Sequence, residues 1–133
     1  MLNSGMRGWR KIWALIQEII LSQNKIPDDI SIIITGDEEL LQINKEFLGH
    51  DYYTDVITFD YSKGDFVAGE IYISADRIKV NAIDFGVSKQ IEMRRVIIHG
   101  ILHLIGMDDK SDDERLEMRG EEDKWLFKLS EKD

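Results

Sequence analysis

His99 and His103 stand four residues apart in the run HGILHLIGMDD, and the chain holds only one other histidine, His50. Residues i and i+4 share one face of a helix, so both imidazoles can address a single ion from a rigid support. Gly106 turns the chain after them, and Asp108 or Asp109 can then return a carboxylate toward the same point. Two imidazoles and a carboxylate suit zinc better than calcium or magnesium. Three such ligands leave a fourth position open, the mark of a catalytic rather than a structural zinc. A bare HxxxH pair is more often a pair of core or cap residues. Here the pair lies on a helix rich in Ile and Leu, where two imidazoles need polar partners that a metal supplies together. The residue after His99 is Gly100, where a zinc protease of the HExxH type keeps its glutamate base, so protease chemistry is disfavoured. Gly100 also allows another backbone to approach this helix closely.

The rest of the composition narrows the chemistry further. The 133 residues contain no cysteine, which removes disulfides, thiolate metal sites and cysteine nucleophiles together. Apolar residues make up 43% and charged residues 32%, with a single proline, as in an ordinary globular domain. One domain over 1–133 is expected. The start, MLNSGMRGWRKIW, lacks the apolar stretch of a signal peptide, and no window has the length of a membrane span. A cytoplasmic protein with no membrane partner is the expectation. The net charge of −9 argues against broad nonspecific nucleic-acid binding. Much of the acid lies between Asp108 and Glu122 and reads as a solvated face. Arg77, Lys79, Lys89, Arg94 and Arg95 offer a local basic patch for phosphates, or equally a solvated helix face.

The elements that must position the histidines follow from periodicity. Trp9, Ile12, Trp13, Ile16 and Ile20 predict a helix over 8–22. Residues 22–29, around Pro27, read as a turn, and Ile30 to Thr35 as a strand. Asp37 caps a helix whose buried face carries Leu40, Leu41 and Phe47. Thr54–Phe59 and Ala68–Ser74 alternate as two strands joined by an antiparallel connection. A helix runs from Ser74 or Asp76 to Phe85. Ser88 caps the next, which carries Val96, Ile97, Ile98, Ile101, Leu102, Leu104 and Ile105. That helix is apolar around most of its circumference, as a central buried helix should be. A last helix spans about 111–129, with Leu116, Met118, Trp125, Leu126 and Leu129 available for packing. The class is α+β: a small mixed sheet packed against several helices, with the histidine helix central and buried.

HGILHLIGMDD resembles the signature HGxLHLxGYDH of the YbeY-type rRNA maturation endoribonucleases, a family of single-domain bacterial zinc proteins. The match covers His99, Gly100, Leu102, His103, Leu104, Gly106 and Asp108. INKEFLGHDYYTDVITFD is similar to the family's LNxxyRxkdxxTDVLSFP at Asn44, Thr54, Asp55, Val56 and Phe59. AGEIYIS is similar to its strand GDIxIS, and the three blocks occur in the family's order. The resemblance implies one zinc ion held by His99, His103 and the residue aligned with the family's third histidine, which is Asp109. It places Asp108 in the turn. It also implies a short strand before the first helix, for which the Gly-containing N-terminus is a degenerate match.

Leu48 aligns with an arginine that such enzymes use near the scissile phosphate, and leucine cannot pair with phosphate. The resemblance leaves His50, two residues on, as a substitute donor or proton shuttle; an exposed loop histidine is the plainer reading. Lys45 is a further candidate. Thr54 and Asp55 are readable as substrate-binding, with bracing of the turn into its strand the favoured role for Asp55, and Glu70 as a partner behind the metal ligands or, more simply, an exposed strand residue. The implied function is single-strand endoribonucleolytic cleavage in rRNA maturation, at the 3′ end of 16S rRNA, and in ribosome quality control. The implied partners are precursor rRNA, small-subunit ribosomal proteins and assembly factors, with no DNA. Two other readings remain: a metal hydrolase on a non-RNA substrate, and a noncatalytic ribosome-assembly factor with a structural zinc.

Overall fold

The computed structural model describes residues 8–133. Five helices and three strands follow in the order α1 (Trp9–Ser22), β1 (Ile26–Thr35), α2 (Asp37–Leu48), β2 (Val56–Asp60), β3 (Phe66–Ser74), α3 (Ala75–Phe85), α4 (Lys89–Leu104) and α5 (Asp112–Ser130). The question of a strand before α1 falls on residues 1–7, outside the described residues. Strand order is β1-β3-β2, with β1 parallel and β2 antiparallel to β3. This is the expected small mixed sheet, and the class is α+β.

The sheet extends further than periodicity alone suggested. β1 begins at Ile26, so the second half of the segment read as a turn around Pro27 belongs to the strand, with an irregularity in register between Pro27 and Ile30. Proline is tolerated there because β1 is an edge strand, where one row of N–H groups has no ladder partner to lose. In β3 the alternation is regular: Val67, Gly69, Ile71 and Ile73 are buried. They face α4, since Ile71 lies against Gly100 and Leu104 lies against Gly69. Glu70 therefore points to the opposite face, half-buried, where it accepts a hydrogen bond from the Tyr61 hydroxyl at 3.0 Å.

Helix α4 is the centre of the molecule. Val96, Ile97, Ile98, Ile101, Leu102 and Leu104 are all buried, joined in one core to Ile12, Leu15, Ile16 and Ile19 of α1, to β3, and to Met118, Trp125 and Leu129 of α5. Ser88 caps it by accepting from the Ile91 amide at 3.1 Å. Two apolar residues expected on buried faces stay largely exposed. Phe47 is 67% exposed, meeting Phe59 edge-to-face with centroids 5.9 Å apart, and α2 instead buries Leu40 and Asn44 at i and i+4. Leu116 is 74% exposed because the buried stripe of α5 is Met118, Glu122, Trp125 and Leu129, and Leu116 lies about 200° around the helix from Met118.

Gly100 sets how closely α4 lies on the sheet. A Cβ built there would stand 2.9 Å from Ile71 Cδ1 and 3.0 Å from its Cγ2, so the close neighbour is a side chain of β3 rather than a second backbone. Gly120, on the outer side of α5, has nothing within 4 Å of such a Cβ. Gly100→Ala should therefore cost about 1–3 kcal/mol by overpacking, whereas Gly120→Ala should stabilise by about 0.5–1 kcal/mol through helix propensity. Urea unfolding of the metal-free proteins at fixed pH measures both, and equal effects at the two positions would contradict this packing.

Candidate metal centre

The histidines project from the last two turns of α4, and the loop that follows brings the third group to them. Gly106, at φ +103°, takes a backbone conformation that L side chains rarely adopt. Its amide donates to His103 O and that of Met107 to Leu102 O, both at 3.0 Å, closing the helix end. The chain then doubles back, leaving Asp108 exposed and Asp109 half-buried beside the imidazoles. His99 Nε2 and His103 Nε2 are 3.1 Å apart, and each is 3.4 Å from Asp109 Oδ2. Among the described residues His99, His103 and Asp109 form the one group with converging ligand atoms of this kind.

The edges of this triangle can be tested against a zinc site. A tetrahedral ion with bonds of about 2.0–2.1 Å requires ligand atoms about 3.3–3.4 Å apart, close to the three separations found. The proton positions agree. His99 Nδ1 donates to Glu122 Oε2 at 2.7 Å, and His103 Nδ1 donates to Met107 O at 3.0 Å. With both Nδ1 protons committed outward, the two Nε2 atoms and the carboxylate face one another, and a shared proton or a metal cation can bind them together. The donor set fits zinc.

Glu122 is a residue of this cluster that periodicity alone did not single out. It is 5% exposed on the buried stripe of α5, and its other oxygen accepts from Arg95 Nη1 at 2.9 Å, while Arg95 Nη2 donates to Asp123 at 2.6 Å. A carboxylate placed four residues after Met118 and three before Trp125 interrupts an apolar stripe, and that was the available signal. Burial alone lowers the His99 pKa. The hydrogen bond and charge of Glu122, with the charges of Asp109 and Asp55, outweigh burial and raise it above 6.5. Without metal, the His99–Glu122 pair thus contributes stability that is full below the ordinary histidine pKa and is lost as pH rises through the raised one.

Beside the triad opens a cleft of about 500 Å³ whose wall includes Asn44, Leu48, His50, Tyr52, Thr54 and Asp55. Asn44 is buried and donates to Tyr52 O at 3.0 Å, tying α2 to the loop that carries these residues. Leu48 and His50 both reach this cleft, as alignment with the family arginine implied for the first. His50 is exposed; its ring stacks on Tyr52 with centroids 5.1 Å apart, and the Tyr52 hydroxyl lies 2.9 Å from Nδ1. Lys45 pairs with Asp51 at 3.4 Å. Asp55 does brace structure, accepting from Asn81 Nδ2 at 3.1 Å and, through its carbonyl, from the Ser74 amide at 3.0 Å, and it also lines the cleft.

The basic patch does not assemble. Arg94 is buried in a two-bond pair with Asp133, Arg95 is held by Glu122 and Asp123, and Arg77 by Asp37, so three guanidinium groups serve internal ion pairs.

With this geometry in view, comparison with known proteins is decisive. The model of the family described as Endoribonuclease YbeY matches residues 5–130. The chain belongs to the YbeY endoribonuclease family. A relative named Endoribonuclease YbeY from Flavobacterium psychrophilum is 50% identical over 111 residues, covering 84% of this chain and 79% of the relative. Another of that name from Parabacteroides distasonis is 43% identical over 129 residues, covering 97% and 87% of the two chains. The solution structure of a protein from Thermotoga maritima superposes with a TM-score of 0.67 at 30% identity, covering 93% of this chain and 84% of that one. The YbeY assignment rests on both halves of the site, since the matched span contains the cleft wall and the histidine helix.

Metal must displace a proton from His99, so affinity should rise with pH through a midpoint above 6.5. Glu122→Gln removes the charge that raises this pKa and should move the midpoint down. Well above the midpoint the same variant should bind metal about tenfold to a hundredfold more weakly. Competition titrations with a chromophoric chelator across pH read both effects, and a midpoint unchanged by the substitution would remove Glu122 from this role.

Proposed function

We propose that the protein is a zinc-dependent, single-strand endoribonuclease of rRNA maturation, acting in the cytoplasm as a single domain on precursor rRNA, including the 3′ end of 16S rRNA, and in ribosome quality control. The observation that carries this reading is the convergence of His99 Nε2, His103 Nε2 and Asp109 Oδ2 at the floor of an open cleft in a chain of this family. His99, His103 and Asp109 would hold one zinc ion, which would supply Lewis-acid polarisation of a phosphodiester oxygen. Glu122 and Met107 O keep the imidazoles in the tautomer that presents Nε2 to it.

On the cleft wall, the His50 ring is hydrogen-bonded through Nδ1 to the Tyr52 hydroxyl, and His50 serves as donor or proton shuttle toward the phosphodiester. The exposed Tyr52–His50 stack offers a flat aromatic face to an unpaired base, which favours single-stranded RNA over a duplex. Gly100 in place of a glutamate removes the general base a zinc peptidase requires. Small-subunit ribosomal proteins and assembly factors are the proposed protein partners, basic surfaces meeting an acidic chain of net charge −9.

A second reading, a noncatalytic assembly factor, is favoured by Leu48 and by the absence of Lys and Arg from the described lining of this cleft. Cleavage of single-stranded rRNA fragments separates the two. Chelation, His103→Ala and Asp109→Ala should each lower cleavage by at least about a hundredfold, with zinc content falling in parallel, and His50→Ala should lower it with zinc retained. Cleavage that survives chelation undiminished would overturn the zinc mechanism. Co-sedimentation with small ribosomal subunits, intact in His103→Ala and unaccompanied by any cleavage in the wild type, would establish the assembly-factor reading instead.

A further inference from the structure

A second cleft of about 340 Å³ adjoins the first and shares His99, Asp109 and Asp55 with it, so the two meet at the metal ligands. Their charges differ. The first has no Lys or Arg in its described lining, while the second is lined by Arg95, Arg115 and Arg119. Arg95 is engaged with Glu122 and Asp123. Arg115 donates to the carbonyl of Asp109 at 3.3 Å and of Lys110 at 3.0 Å, and pairs with Asp112. Arg119 is exposed and makes no ion pair or side-chain hydrogen bond among the described residues. Positions 115, 119 and 122 fall at i, i+4 and i+7, on one face of α5. Both ends of that row touch metal-ligand residues, Arg115 at Asp109 and Glu122 at His99. Arg119 stands between them with its five donors uncommitted.

We infer that Arg119 is an RNA-phosphate contact of the active site, binding a backbone phosphate next to the metal ligands from the α5 side, opposite the cleft wall where Leu48 offers none. This rests on the endoribonuclease reading above. A guanidinium that joins no fold-stabilising pair, in a strongly acidic chain, provides local attraction for an anionic strand at the place where the ligand triad needs its substrate. Arg115, already hydrogen-bonded to the Asp109 loop, holds the neighbouring edge of the cleft in place.

The test compares wild type, Arg119→Ala and Arg119→Lys as zinc-loaded full chains, using a short fluorescent single-stranded RNA for binding between about 50 and 200 mM salt and for cleavage. Arg119→Ala should raise KM and Kd by roughly tenfold, the worth of one hydrogen-bonded charge, and flatten the log–log salt dependence by about 0.7. Zinc content and Tm should stay at wild-type values, because Arg119 touches neither the ligands nor the core. Arg119→Lys should restore the salt dependence and only part of the affinity, a point charge replacing a planar fork. If wild type cleaves RNA and Arg119→Ala matches it in KM and salt dependence, Arg119 is an ordinary solvated arginine and the inference is overturned while the endoribonuclease reading stands. Loss of zinc from Arg119→Ala would also overturn it, assigning the residue to the metal centre. If the wild type neither binds nor cleaves the RNA, the endoribonuclease reading fails and this inference falls with it.

Discussion

Two imidazole nitrogens and a carboxylate oxygen within 3.1–3.4 Å of one another repel unless a proton or a metal cation lies between them, and the protein must hold them in that arrangement. It does so by committing the outward proton of each imidazole to a fixed acceptor, a carboxylate for His99 and a carbonyl for His103. Those acceptors come from different places in the chain, α5 and the loop after α4. The three ligand atoms can converge only if α4, its trailing loop and α5 keep their mutual positions. Much of the architecture serves that requirement.

The support is apolar on one side and ionic on the other. Toward the sheet, the bare Cα of Gly100 lets Ile71 pack directly on the helix between the two histidines. Close packing of this kind transmits displacement and resists sliding, so the imidazole pair is referenced to β3. Toward α5, the relay Asp123–Arg95–Glu122–His99 buries a carboxylate with its charge matched by a guanidinium and both oxygens hydrogen-bonded. A buried carboxylate left unpaired would cost several kcal/mol, on the order of what the whole fold can spare. Glu122 therefore ties the orientation of the His99 ring to the docking of the last helix.

The acidity of the chain takes on meaning in the same terms. Of the arginines lining the second cleft, Arg95 pairs with Glu122 and Asp123 and Arg115 with Asp112, and elsewhere Arg77 pairs with Asp37 and Arg94 with Asp133. The exposed stack of Tyr52 on His50 and the open side of α5 are thus the surfaces beside the triad on which the proposed contacts with an RNA strand rest.

Much of this was readable without coordinates. The eight elements, their order, the central helix and the antiparallel pairing of β2 and β3 follow from local periodicity and caps, because a helix or strand is decided largely by residues near it in sequence. The i, i+4 histidines and the resemblance to YbeY endoribonucleases were legible for the same reason, and so was the family's histidine position now held by Asp109. The errors lay where a distant neighbour decides. Pro27 belongs to a strand because β3 passes beside it, Asn44 rather than Phe47 is buried because its side chain is drawn under the loop at Tyr52, and Arg77, Arg94 and Arg95, read equally as a patch or as a solvated face, pair with carboxylates far along the chain. Sequence alone determined which side chains could bind metal and on which elements they ride. Only the tertiary structure decided that Asp109 rather than Asp108 reaches the imidazoles, that Glu122 orients His99, and which guanidinium groups remain free. Those outcomes turn on separations of a few ångströms between elements remote in sequence, and such distances are set by how the helices pack on the sheet.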